Sequence, residues 1–144
     1  MKRKILLVGL FLVLIITVAG CGGGEEKILP KISQDAIDMA IGVITDSEYV
    51  PDAAVLVKDK TISMSVVISP LVSHRAKDIG DNFVRLLGTF TAANDSNLDP
   101  PSNDSHGSIY DYYDLLINVG TGSNNIFVSG GKARGAMNIR WEWH

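Results

Sequence analysis

From Ile28 onward the chain switches between two hydrophobic periods, and the switches divide it into elements. Between Ser33 and Thr45, Ala36, Ile37, Ala40, Ile41 and Ile44 recur three and four apart, the spacing that gathers apolar side chains into one helical stripe. Ser33 stands at the N-cap and Asp35 in the first turn, where an oxygen acceptor and an anion meet free N–H groups. Val50-Pro51-Asp52 breaks the pattern. Over Ala53 to Val57 and Thr61 to Ser69 the period drops to two, with Ile62, Met64, Val66 and Ile68 alternating with Ser63, Ser65, Val67 and Ser69. That predicts a hairpin around Lys58-Asp59-Lys60 with one face in the core. A second stripe, Ala76, Ile79, Phe83, Leu86, Leu87 and Phe90, predicts a helix capped by Ser73 and running to about Phe90.

The polar run at residues 92–108, with Pro100-Pro101 inside it, predicts a long loop. Two closing strands follow, Ile109 to Val119 and Asn125 to Trp143, joined by a turn at Gly120 to Asn124. Tyr113, Leu115, Ile117 and Val119 share a face of the first; Met137, Ile139, Trp141 and Trp143 share a face of the second, which Gly130-Gly131 interrupts as a bulge or bend. The order is αββαββ. Hairpins pair antiparallel and both helical stripes need covering, so the expected fold is α+β, a four-stranded, largely antiparallel sheet with two helices on one face.

The first 27 residues have a different pattern. Lys2, Arg3 and Lys4 precede Ile5 to Val18, apolar except for Gly9 and Thr17, then Ala19, Gly20 and the chain's one cysteine, Cys21. The apolar run suits the central region of an export signal and falls short of the roughly 20 residues of a spanning helix. Leu14-Ile15-Ile16-Thr17-Val18-Ala19-Gly20-Cys21 resembles the lipobox of bacterial lipoproteins, with valine at a position where leucine is commoner. The resemblance implies a diacylglycerol on the Cys21 sulfur, cleavage before Cys21, and a domain held at the extracytoplasmic face of a membrane. Gly22 follows the cysteine and no retention aspartate does, which leaves the outer membrane open in a cell that has one and gives the outer face of the plasma membrane in a cell that does not. An ordinary exported protein would leave Cys21 as an exposed thiol in an oxidising compartment, an unfavourable arrangement. An uncleaved anchor would be too short. Gly22-Gly23-Gly24-Glu25-Glu26 reads as a flexible tether over residues 21–27.

Removal of residues 1–20 leaves 124 of the 144 residues, enough for one domain with its own core over 28–144. The signal contains three of the 13 basic residues and none of the 16 acidic ones, so the mature chain has a formal net charge of about −6. Such a surface is repelled by nucleic acid, which excludes it as a partner. The expected partners are the membrane, through Cys21, and another envelope protein.

The chemistry-bearing residues form no recognised signature. His74, His106 and His144 lack ligand spacing, so no metal is expected. Asp99, Asn103, Asp104, Asp111 and Asp114 offer hard oxygens without the EF-hand pattern. Gly120-x-Gly122 and Gly130-Gly131-Lys132 precede no helix and form no phosphate cradle, and Lys132, Arg134 and Arg140 read as a solvated strand edge. No catalytic residue and no cofactor is expected. The candidate contact residues are aromatic: Tyr110 and Tyr112 beside Asp111 and Asp114, and Trp141 and Trp143 on one strand face. The expected role is a non-enzymatic envelope interaction module. The alternative is a lipoprotein that binds a small ligand or sugar with the 92–114 loop and its tyrosines.

Overall fold

The computed structural model describes residues 28–144; the export signal, Cys21 and the tether lie outside them. Helix α1 spans Gln34–Thr45, and the Ser33 side chain accepts from Ala36 N at 3.1 Å, closing its first turn. Strands β1 (Asp52–Lys58) and β2 (Thr61–Val67) form the expected hairpin. A 3₁₀ turn, Pro70–Arg75, then leads into helix α2, Ala76–Asn94. Ser73 caps nothing: the capping hydroxyl belongs to Ser69, which accepts from Leu71 N ahead of a proline pre-set for the turn. A second 3₁₀ turn, Ser108–Asp111, precedes β3 (Asp114–Gly122), β4 (Asn125–Lys132) and β5 (Arg140–Trp143).

The fold is α+β, and two expectations about the sheet are corrected. It has five strands in the order β1-β2-β3-β4-β5, because the long last strand is two: the chain leaves the sheet after Lys132 and returns at Arg140. It is also mixed, since β3 runs parallel to β2 while the other neighbours are antiparallel. Parallel neighbours need a long crossover, and α2 with its flanking loops supplies it. Among the described residues the order is αββαβββ.

Both helices pack side by side on one face. Ile62, Met64 and Val66 of β2 and Leu115, Ile117 and Val119 of β3 are buried against Ile37, Ala40 and Ile44 of α1 and Phe83, Val84 and Leu87 of α2. The α2 stripe is wider than hydrophobicity alone marks, because Gly80 and Gly88 also face inward. The opposite sheet face is open, and Leu56 and Leu116 stand exposed on it. The chain enters at the end of the sheet where β3 starts: the Tyr113 hydroxyl donates to the Pro30 carbonyl at 2.7 Å, and Asn94 Nδ2 donates to the Ser33 hydroxyl. Trp143, paired with Val128, and through it with Val119, lies toward the other end.

A polar groove between the second helix and the edge strand

Successive turns of α2 present Lys77, Asp78, Asp81, Asn82 and Arg85 along one flank, three and four residues apart. Facing them are His106 from the loop before β3, and Asn138, Ile139 and Trp141 from the return into β5. Together they line an open, mostly polar groove of about 580 Å³. Its floor depends on two glycines. A Cβ at Gly80 would stand 3.1 Å from the Trp141 ring, and one at Gly130 would stand 2.8 Å from it, so the indole occupies the volume that side chains there would fill.

One wall is a charged network. Asp81 accepts from Arg85 Nε at 2.8 Å and contacts His106 Nε2 at 2.6 Å. Burial works against the Asp81 charge, but the hydrogen bonds from His106 and Arg85, and their charges, outweigh it and hold its pKa below the ordinary carboxylate value. An ionised carboxylate only accepts, so Nε2 of His106 is the donor. Arg85 also donates through Nη1 to the carbonyls of Ser102 (2.6 Å) and Ser105 (3.1 Å). Three elements of the loop are thereby tied to one helical turn. The His106 side chain is 10% exposed, and its Nδ1 is buried with no partner. The Asp81–His106 bond ties the loop to α2.

The expected contact residues fall in different places. Tyr110 is fully buried; its hydroxyl donates to the Val84 carbonyl at 2.7 Å, and burial, then the Asp81 charge, pushes its pKa well above the phenol range. It belongs to the core. Tyr112 is half-buried at the end of the sheet where the chain enters. Trp141 is half-buried in the groove, and Trp143 is 53% exposed on the edge strand. The structure therefore joins Trp141 to the groove and separates it from both tyrosines. Lys132 is not a solvated edge residue. Its side chain is buried, donates to the Tyr110 carbonyl at 2.9 Å and lies 6.0 Å from the Tyr110 ring centre. Burial lowers its pKa, partly offset by Asp111.

The Asp114 carboxylate accepts from Arg134 N, and the main-chain carbonyl of Asp99 accepts from Ser108 N. Among the described residues no three His, Cys, Asp or Glu side chains converge, and no helix is long and apolar enough to cross a membrane. The sequence did not point to Asp81, Asn82, His106 and Asn138 as neighbours. A spacing of three and four on the polar flank of α2 was the one available signal for the first two. No family model, no curated protein and no solved structure matches this chain.

Proposed function

We propose that this chain is an exported, non-enzymatic interaction module, tethered by lipid on Cys21 to the extracytoplasmic face of a membrane, that meets an envelope partner at the β5 edge. The observation that carries the contact site is Trp143. Its indole is 53% exposed on a strand whose outer side pairs with no other strand among the described residues, at the end of the sheet away from where the chain enters. Large aromatics of this kind are what interface cores use. The distance also matters, because a tether leaving near Pro30 keeps that end toward the lipid and presents Trp143 outward. The anchor itself rests on the lipobox-like stretch ending at Cys21.

The test is photo-cross-linking in cells, with probes at Trp143 and at Tyr112 near the other end of the sheet, in the natural chain and in Cys21→Ser. A discrete adduct at Trp143 that weakens at Tyr112 and disappears without Cys21 is the expected result. No adduct at either probe would overturn the partner reading.

A second reading is favoured by the groove: a neutral, hydroxyl-rich ligand such as a sugar, resting on Trp141 and bonded by Asn82 and Asn138. Unlike the tyrosines, these groups are assembled around one cavity. Titration with oligosaccharides, followed by amide shifts in α2 and β5, tests it. Shifts confined to the β1–β2 hairpin, or none, would sink it.

A further inference from the structure

The edge formed by β1 differs from most natural edges in having nothing in its middle to prevent pairing. Among the described residues β1 is the first strand of the sheet, with β2 on one side and no strand on the other. Its seven residues, Asp52-Ala53-Ala54-Val55-Leu56-Val57-Lys58, contain no proline and no central charge, and its pairing with β2 is regular throughout. Proteins usually blunt such an edge with lysines, a bulge, a proline or a covering loop. Here the charges stand only at the two ends, and they are of opposite sign. Val55 and Val57, which point to the helical face, remain half-exposed although every hydrophobic position they face on β2, Met64 and Ile62, is buried. Leu56, on the open face, is among the exposed large apolar residues.

We infer that β1 is a self-complementary edge on which a second copy of this chain docks antiparallel, joining two five-stranded sheets into one. A two-fold axis normal to the sheet keeps helices on the same side in both copies. Only registers that set a residue opposite one of matching face are then allowed, because a one-residue slip turns every side chain over. Among these, the register centred on Val55 pairs the whole strand. It sets Asp52 against the mate's Lys58 at both ends, Ala53 against Val57, Ala54 against Leu56, and Val55 against itself. A shift of centre to Ala54 or Leu56 leaves one charge at each end without its opposite and shortens the ladder. The charges that would deter an unrelated strand therefore select this partner in one register, as opposite charges directly across a ladder favour pairing. The half-exposed valines gain the cover that α1 does not provide. The interface is isologous, so it closes at two copies.

The test uses the full chain in detergent with Cys21→Ser, which leaves an added cysteine as the only thiol. Directly opposed strand residues bring their Cα atoms to roughly 4.5–5.5 Å, within disulfide range. Val55→Cys should give a covalent dimer on mild oxidation. Val57→Cys, offset from its own mate by four residues along the ladder, should not. Sedimentation from about 10 µM to 1 mM, the range in which small interfaces associate, should show a monomer–dimer equilibrium. Asp52→Lys should shift that equilibrium at least tenfold toward monomer, and adding Lys58→Asp to it should restore the dimer. A chain that stays monomeric throughout overturns the inference, as do cross-links equally strong at both positions or a double variant no better than the single one. These outcomes leave the Trp143 reading untouched, since that surface lies at the opposite edge of the sheet.

Discussion

Two connections flank the groove, and they are built in opposite ways. Residues 95–107 and 133–139 both look like polar loops, and both run beside α2. The first is fastened along its length: Leu98 is buried, Ser102 and Ser105 pair with one another, Arg85 holds both of their carbonyls, and His106 reaches Asp81. Gly107, at φ 107°, packs its backbone against Gly88. The second is tied more sparsely and stays on the surface, with Gly135 N donating to the Tyr110 carbonyl at 3.4 Å. Arg134 N donates to Asp114, Ala136 N donates to the Ala133 carbonyl, and Ile139 is buried, yet residues 133–138 are all exposed and Met137 is 78% so. Polarity in sequence therefore does not decide whether a loop is fixed. What differs is the number of ties to a rigid element: Arg85 and Asp81 of α2 hold the first loop at three residues, and the second, beyond its bond to Asp114, has a single backbone bond to buried Tyr110.

The contrast yields predictions of decreasing size. Gly88→Ala should be the most damaging, because the new methyl would collide with the His106 carbonyl, a backbone atom that cannot swing aside. A loss of about 2–3 kcal/mol in denaturant titration is expected, as for other overpacked sites. A cost below about 0.5 kcal/mol would mean that the first loop is as loose as the second.

Acid should weaken the first loop next. The Asp81 pKa is lower in the folded chain than its ordinary value of 3.8, so its contribution is complete above that value and is lost as pH falls through the folded one. Below about pH 4, the protection of amides 102–107 relative to their intrinsic exchange rates should therefore fall. In Asp81→Asn the same amides should exchange fast at neutral pH and lose that acid dependence. Unchanged exchange in the variant would assign the fastening to packing alone.

Arg134→Ala should do least. Its side chain faces Asp114 at 3.8 Å across solvent, and exposed pairs of that kind contribute roughly 0–1 kcal/mol. Thermal unfolding within experimental error of the parent is expected, and a drop as large as that of Gly88→Ala would erase the distinction between the loops.

The same contrast explains what was legible in the sequence. Periodicity located α1, the hairpin, α2 and the buried face of β3, because each buries a regular set of residues such as Ile62, Met64 and Val66. It failed where a connection decides the topology. A parallel β2–β3 pair leaves no mark in either strand, since Ile117 faces the core the same way with a neighbour of either direction. The split between β4 and β5 was hidden because Gly130-Gly131 looked like the interruption, while the chain in fact turns at Ala133 to Ala136, with Gly135 at φ 70°. Of that first pair, Gly130 makes room for the Trp141 ring. The groove was invisible for a related reason: Asp81 and His106 are 25 residues apart, and neither has a local pattern that names the other. Tyr110 and Lys132 were misjudged because a polar tip suggests water, whereas each finds a buried backbone carbonyl to bond.

The packing of Trp141 against Gly80 and Gly130 has a spectroscopic consequence. The chain has two tryptophans, two residues apart on β5, one tucked beneath a helix and the other in solvent. Their emission should be a sum of a blue component and a red one. Trp143→Phe would isolate the blue component, leaving a single tryptophan, excited at the red edge beyond tyrosine absorption, that reports whether the last strand is seated on the sheet. Collisional quenching by iodide would then distinguish a strand that peels away from a domain that unfolds as one unit, with no label attached.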